Sequence, residues 1–404
     1  MRRLQDHVDV TVIGCGPAGL IAARESAKNN VSVITFEEHD EIGLPCHCAG
    51  LISIDGLAKL GVPLDSSIIL NKLKGAHFHS PSGLSFKVER KKNVACVIDR
   101  IKLDRFLANQ AIDVGVRLNL GQKVSRIKRH ADSLWVEGQW GRIDSSIVID
   151  AGGVGSKISK QMGLVSLDYE YVLPALQFEL TDVDIDESYA EIYLGQKIAP
   201  NFFAWIIPLN DRSVRIGLAT NGGNLVNILE NFTKARFEEF SLVSTSSGQI
   251  ITCGPIKETF TDNFVVVGDA AGQVKPTTGG GVVLGGLCAS IAGEISALTV
   301  KNATPNRKHL RAYEQSWKKK LGREFTIMRM VRQIINLLTD ETIDRLFRII
   351  IDKNYQQDFS LFGDMDFQAS LLLALTKKKD LMSTIFKITP HFIIQEIKKI
   401  LKRD

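Results

Sequence analysis

The sequence predicts a mixed α/β fold: a nucleotide-binding domain built from separated stretches, a β-rich lobe between them, and a helical C-terminal region. Three observations predict it. Val8–Ile13 is a β-branched run that passes through Gly14-x-Gly16-x-x-Gly19 into an apolar helical face at Leu20, Ile21, Ala22, Ala23 and Ala27. A second apolar run, Phe264–Val267, ends in Gly268-Asp269. Between the two, residues from about 170 to 250 alternate as strands do, and from Arg307 onward the apolar spacing is helical.

The elements follow in order. After the first helix, Asn29-Asn30 and Val31–Phe36 give a second strand ending at Glu37-Glu38, which completes a βαβ start. Gly43–Gly61 reads as a loop. Short strand pieces follow at His77-Phe78-His79, Ser85–Val88 and Val94–Ile98, then a helix over Arg100–Ile112. Val116–Ile127, Leu134–Val136 and Ile147–Asp150 return to strand. In the β-rich lobe the strands are Leu173–Leu180, Ala190–Leu194, Phe202–Pro208 and Val214–Ala219, with a helix over Leu225–Phe240. Arg323–Asp352 carries an apolar stripe, and Thr339 is placed to cap a helix. The expected division is 1–70, 97–160 and 250–300 for the nucleotide-binding domain, 71–96 and 161–249 for the β-rich lobe, and 301–404 for the helical region.

Composition narrows the function. With 404 residues, 44% hydrophobic and 24% charged, the chain is an ordinary globular protein of two or three lobes. Six cysteines, with only Cys46 and Cys48 close together, make neither a disulfide framework nor a zinc site, and no metal is expected. The longest uncharged run, Pro276–Gly293, has 18 residues and is rich in glycine, short of the ~20 apolar residues of a spanning helix. No signal-peptide core follows the N-terminus, so the expected location is cytoplasmic, at the inner face of the membrane. Net charge is +5, and Lys377–Asp404, with eight basic and three acidic residues, carries all of it. Pro390–Asp404 reads as a basic amphipathic helix suited to a membrane surface, or to a helix packed on the enzyme's own core. The neutral remainder argues against nucleic acid.

The chemistry sits in the glycine motifs. Between a strand and a helix, Gly14 allows a tight turn, Gly16 lets the backbone approach a pyrophosphate, and Gly19 lets helix and strand pack closely. Glu37, 18 residues after Gly19, stands where a carboxylate bonds a ribose diol. The Gly268-Asp269 crossing decides for FAD over NAD: its carboxylate suits a ribityl chain, and Gly279, Gly280 and Gly281 open a helix whose amides suit the pyrimidine edge of a flavin. No second complete G-x-G-x-x-G is present, so no dedicated nicotinamide domain is expected.

These motifs resemble the geranylgeranyl reductase family. The resemblance rests on Gly14–Gly19, on Gly268-Asp-Ala-Ala-Gly-Gln-Val-Lys-Pro-Thr-Thr-Gly-Gly-Gly281, on Arg100-x-x-x-Asp104 and on Gly43-x-Pro45-x-x-Cys48. Pro200-x-x-Phe203-x-Trp205-x-Ile207-Pro208 is similar to the family's P-x-x-Y-x-W-x-F-P, with two positions changed. The likeness covers residues from about 5 to 295. It implies a Rossmann-type FAD domain of the para-hydroxybenzoate hydroxylase kind. It places FAD contacts on Ala18, Glu37, Cys48, Ala49, Arg100, Val124, Asp269, Gly281 and Val282, with Gly50 and Gly280 beside them. Many relatives carry Asp-Gly after the third core strand, where this chain has Gly152-Gly153.

The resemblance implies an enzyme that saturates isoprenoid double bonds of digeranylgeranyl glycerophospholipids. Reducing an unactivated alkene needs a hydride from reduced flavin, a proton at the other carbon, and a dry groove for the chain. Phe178, Phe202, Phe203 and Trp205 are the aromatics available for that groove, or for a packed sheet core. Cys48, with Cys46 and His47 beside it, is the candidate for proton donation or redox exchange, or packs on the cofactor. The electron donor is left open among a ferredoxin-like protein, a reduced deazaflavin and NAD(P)H. The rival readings are a flavin monooxygenase or halogenase of the same fold, a reductase of a quinone's isoprenoid tail, and a non-enzymatic membrane-surface binder.

Overall fold

A computed structural model describes residues 7–64, 67–302 and 305–388. The basic pattern at Pro390–Asp404 and the first six residues lie outside the described residues. The chain opens with β1 (His7–Ile13), α1 (Pro17–Ala27) and β2 (Val33–Phe36), followed by β3 (Leu51–Ser53) and α2 (Ile54–Lys59). Then come β4 (Ile69–Leu73), β5 (Gly75–His79), β6 (Ser85–Glu89), β7 (Ala95–Ile98) and α3 (Arg100–Asp113). β8 (Arg117–Asn119), β9 (Val124–His130), β10 (Ser133–Gly138), β11 (Gly141–Asp150) and the short α4 (Ile158–Gln161) follow. The lobe contributes β12 (Val172–Thr181), β13 (Tyr189–Tyr193), β14 (Ala204–Asn210), β15 (Ser213–Ala219), α5 (Leu225–Arg236) and β16 (Ser241–Ile251). β17 (Phe260–Thr261), β18 (Phe264–Val266) and α6 (Val282–Asn302) return to the first domain. The chain continues with α7 (Arg307–Ile335), α8 (Asp340–Asp352), α9 (Gln356–Phe362), α10 (Ala369–Thr376) and α11 (Lys379–Ile388).

Three sheets result. The first runs β17-β18-β11-β1-β2-β8, with β9 and β10 branching off β11, and its β18, β11, β1, β2 and β8 are mutually parallel. Parallel strands must be covered on both faces, and β1 is: Val10 and Val12 pack in the cluster that holds α1 and α6, while Ile13 packs in the cluster of β9 and β10. The second sheet is the lobe, β16-β12-β15-β14-β13-β5-β6. A small third sheet, β3-β7-β4, joins the two.

Local chemistry sets the boundaries. Side chains of Ser53, Asp99, Asn224, Asn306 and Thr339 cap α2, α3, α5, α7 and α8 by accepting amide hydrogen bonds. Three sequence expectations need correction. Gly43–Gly61 is not loop throughout: Ser53 nucleates α2, and Gly56 is needed there because a Cβ would lie 2.5 Å from the Ser53 hydroxyl. The strand expected over Val116–Ile127 breaks at Gly121, which has φ +65°. The third concerns β16, an 11-residue strand at the lobe's edge that the sequence reading lacks.

Helix α6 is 21 residues long with mean hydropathy 1.6, enough to cross a bilayer, yet 67% of its apolar window is buried within the protein. Its glycines explain why. A Cβ at Gly293 would lie 2.3 Å from the Ala22 carbonyl oxygen, so α6 lies directly against α1. It is a core helix.

Candidate active site

The turn from β1 to α1 is built to leave space. Gly14 has φ +91°, and a Cβ there would lie 2.5 Å from the Ala151 carbonyl oxygen. A Cβ at Gly19 would lie 1.9 Å from the Gly14 carbonyl oxygen, so only glycine lets α1 sit this close to β1. At Gly16 the situation is opposite: nothing lies within 4 Å of an added Cβ. Gly16 is the N-cap of α1 and supplies no capping side chain, so the helix's positive end faces an open space fit for phosphate. Glu37, at the end of β2, accepts from the Cys15 amide at 2.8 Å and from His39 Nδ1 at 2.6 Å. Its carboxylate is thereby fixed beside the turn. Val124 starts β9 and is buried in the cluster of Ile13 and Phe36.

The second crossing meets the first. Gly268 has φ +62°, and a Cβ there would lie 2.7 Å from the Cβ of Ala18 in α1. Gly285 in α6 approaches Gly268 from the other side, with 3.1 Å from an added Cβ to the Gly268 Cα. Gln273 accepts from the Gly268 amide at 2.9 Å and donates to the Tyr313 hydroxyl at 2.8 Å, which ties the crossing to α7. Asp269 keeps solvent-exposed surface although protein atoms crowd around it. Desolvation by the surrounding protein raises its carboxyl, against the pull of the Arg100 charge. An added Cβ at Gly281 would lie 2.5 Å from Asp269 Oδ1, and one at Gly280 would lie 2.6 Å from Lys275 Cε. Val282 then opens α6.

A third segment brings the cysteine loop. Arg100, at the start of α3, pairs with Asp104 at 3.1 Å. Burial alone would lower the Arg100 pKa, but Cys48 and Asp104 beside it outweigh that and hold it raised. The Cys48 side chain lies within hydrogen-bonding reach of Arg100 and accepts from the Gly50 amide at 3.3 Å. Burial raises the Cys46 thiol. Arg215 of β15 reaches over from the lobe and donates to the carbonyls of Ala49 (3.1 Å) and Ile98 (3.3 Å), while its Nε holds Glu179 at 3.1 Å. One arginine thus fixes the Cys48–Gly50 loop to the lobe's sheet.

The facing sheet surface has two rows of residues. Trp205, Gly217, Gln177 and Ser246 stand in register across β14, β15, β12 and β16. The Trp205 indole donates to Gln177 at 3.1 Å and lies over Gly217, where a Cβ would be 2.6 Å from the ring. The next row holds Ala219, Ala175 and Gly248. These small residues leave the sheet low, and His47 packs on Gly248 at 3.1 Å from an added Cβ. Phe203, half-buried, stacks on Phe202 with centroids 4.2 Å apart and meets Trp205 edge-on. Phe178 does not join them. Side chains alternate along a strand, so Gln177 faces Trp205 while Phe178 packs on the opposite face with Leu229 of α5. The sequence reading missed Gln177, Gly217 and Arg215, and the charge-free run of Ser244, Ser246 and Gly248 was the available signal.

Comparison with known proteins adds family to geometry. The geranylgeranyl reductase catalytic domain model matches residues 172–250, and an NAD(P)-binding Rossmann-like domain model matches 12–64. A digeranylgeranylglycerophospholipid reductase of Methanocaldococcus jannaschii is 32% identical over 86% of this chain and 91% of its own. A geranylgeranyl bacteriochlorophyll reductase-like structure from Thermoplasma acidophilum has a TM-score of 0.82 at 23% identity, covering 98% of this chain and 99% of that one. A flavin-dependent brominase shares the fold at TM-score 0.69 and 16% identity, over 93% and 99%. The match to the methanogen reductase over nearly its full length, together with the catalytic-domain match on the sheet that carries Trp205, makes this chain a member of the geranylgeranyl reductase family.

Proposed function

We propose that the chain is an FAD-dependent reductase that saturates isoprenoid double bonds of geranylgeranyl chains, with digeranylgeranyl glycerophospholipids as substrate. The observation that carries the reading is the contact of Gly268 with Ala18, which brings two glycine crossings, distant in sequence, around one cleft. The residues fit FAD. The open N-terminus of α1 takes the pyrophosphate, Glu37 the ribose, Asp269 the ribityl chain, and the backbone at Gly280–Val282 the flavin ring. When bound, the flavin supplies the hydride.

The chain's own residues do the rest. Trp205, held by Gln177, and Phe203 orient an apolar chain along the low sheet surface of Ala175, Ala219 and Gly248. Arg215 keeps the Cys48 loop against that surface and limits water. Cys48 donates its thiol proton to the carbon opposite the hydride, and the Arg100 guanidinium beside it stabilises the thiolate that remains. The reducing equivalents come from a ferredoxin-like protein, a reduced deazaflavin or NAD(P)H, and the enzyme works peripherally at a membrane surface.

The test is mass spectrometry of an unsaturated digeranylgeranyl ether lipid after incubation with dithionite-reduced protein. Gains of two mass units per double bond are expected. Oxygen-dependent addition of oxygen or halide to the substrate would overturn the reading in favour of a monooxygenase or halogenase.

A further inference from the structure

The C-terminal helices line a partly open apolar cavity of about 270 Å³. Five helices wall it: Met330 and Ile334 come from α7, Ile350 from α8, Phe359 from α9, Leu373 from α10 and Ile385 from α11. Among the described residues that line it, Thr376 is the one polar side chain and none is charged. A water molecule there would lack the two to four partners it needs, so the space suits hydrocarbon. A polar headgroup would have nothing to bind. If a methylene takes roughly the volume share of a water, about 30 Å³, the cavity holds on the order of nine carbons, or about two isoprene units.

Its position links it to the cleft. α7 forms one wall, and Arg332, on the same helix, donates to the carbonyl of Pro276 at 3.0 Å and to that of Thr277. These two residues lead into the glycine turn at Gly279–Gly281. The segment before α10 touches the other side of the site: Met365 packs against the cluster of Trp205 and Phe203, and its carbonyl accepts from Lys275. The stretch Asp364–Gln368 therefore runs from the aromatic surface into the helix that carries Leu373.

Resting on the proposed reductase reading, we infer that this cavity is a second subsite that receives the far end of the prenyl chain while a bond nearer the headgroup lies at Trp205. An enzyme acting on several double bonds of one chain must hold a different length of tail at each step. An apolar pocket beyond the reaction surface stores that length.

Two experiments on the full-length holoprotein test it. In the first, a geranylgeranyl lipid with a terminal diazirine is photolysed on the protein and the labelled peptides are mapped. Labelling in α7 or α10 is expected. Labelling confined to β12–β16 would overturn the inference while leaving the reductase reading intact. In the second, Leu373→Trp and Ile385→Trp fill the cavity from two helices. Each should lower the ratio of kcat/KM for a C20 chain over a C10 chain at least tenfold, with the flavin spectrum retained. An unchanged ratio in both variants would overturn the inference. Failure of the unmodified protein to reduce either chain would overturn the reductase reading and the inference with it.

Discussion

At the scale of single residues, the glycines divide into two kinds, and substitution tells them apart. Gly19 is closed in by the Gly14 carbonyl, whereas Gly16 faces open space. Gly19→Ala should therefore destabilise the fold itself, lowering the melting temperature of cofactor-free protein by several degrees. Gly16→Val should leave that melting temperature within a degree or two and weaken FAD binding at least tenfold, read from flavin absorbance per chain. Asp269 gives the opposite pairing of effects. Its carboxyl is raised by desolvation, so it contributes to stability only while protonated, and that contribution is lost as pH rises through the folded-state pKa. Above the unfolded-state pKa, its ionisation opposes folding. Asp269→Asn should raise the melting temperature of the cofactor-free protein at pH 7, and the advantage should vanish as pH falls into the ordinary carboxylate range. The same variant should bind FAD more weakly. Equal melting temperatures at pH 7 would show that the cleft solvates the carboxylate fully. Both glycine motifs were legible in the sequence because a tight turn leaves few other residues possible. Phe178 was not, since one position along a strand reverses the face, and composition does not register the phase.

Among the elements, one buried tie between the cofactor turn and the helical region is ionic. Lys275 donates to Asp366 at 2.9 Å, with side chains 9% and 3% exposed, and Ser53 at the cap of α2 holds the other Asp366 oxygen. Removing one member leaves a buried charge alone, which costs about 3–5 kcal/mol. Lys275→Met and Asp366→Asn should each lose stability of that order in urea denaturation, and Lys275→Met/Asp366→Leu should recover a large part. If the double variant were no more stable than either single one, the pair would not act as a unit. The sequence concealed this tie, because the partners lie 91 residues apart on a loop and a turn. It concealed β16 and α2 for related reasons. Glycine has low strand propensity and the serines bring no apolar alternation, so β16 depends on its pairing with β12. Proline and glycine around residues 43–61 hid a short helix that needs only the Ser53 cap.

Over the whole molecule, the longest apolar helix is turned inward. Because α6 is packed against α1 through Gly293 and Ala22, it is not available to a bilayer. Alkaline carbonate washing of membranes from expressing cells should therefore release the protein into the supernatant, and retention in the pellet would contradict the packing. The βαβ start and the Gly-Asp crossing were readable because each is local. The lobe's orientation over the cleft was not, since it depends on Arg215 reaching the Ala49 and Ile98 carbonyls across the fold.

The meeting of Gly268 with Ala18 also bears on how the protein is made. β1 and β2 leave the ribosome early, but β18 and α6, which complete their sheet and cover α1, emerge much later. Until then, apolar faces of the first βαβ unit stay uncovered, and no coenzyme can be held. During synthesis that surface therefore stays open until α6 (Val282–Asn302) has emerged, and the paired turns form only then.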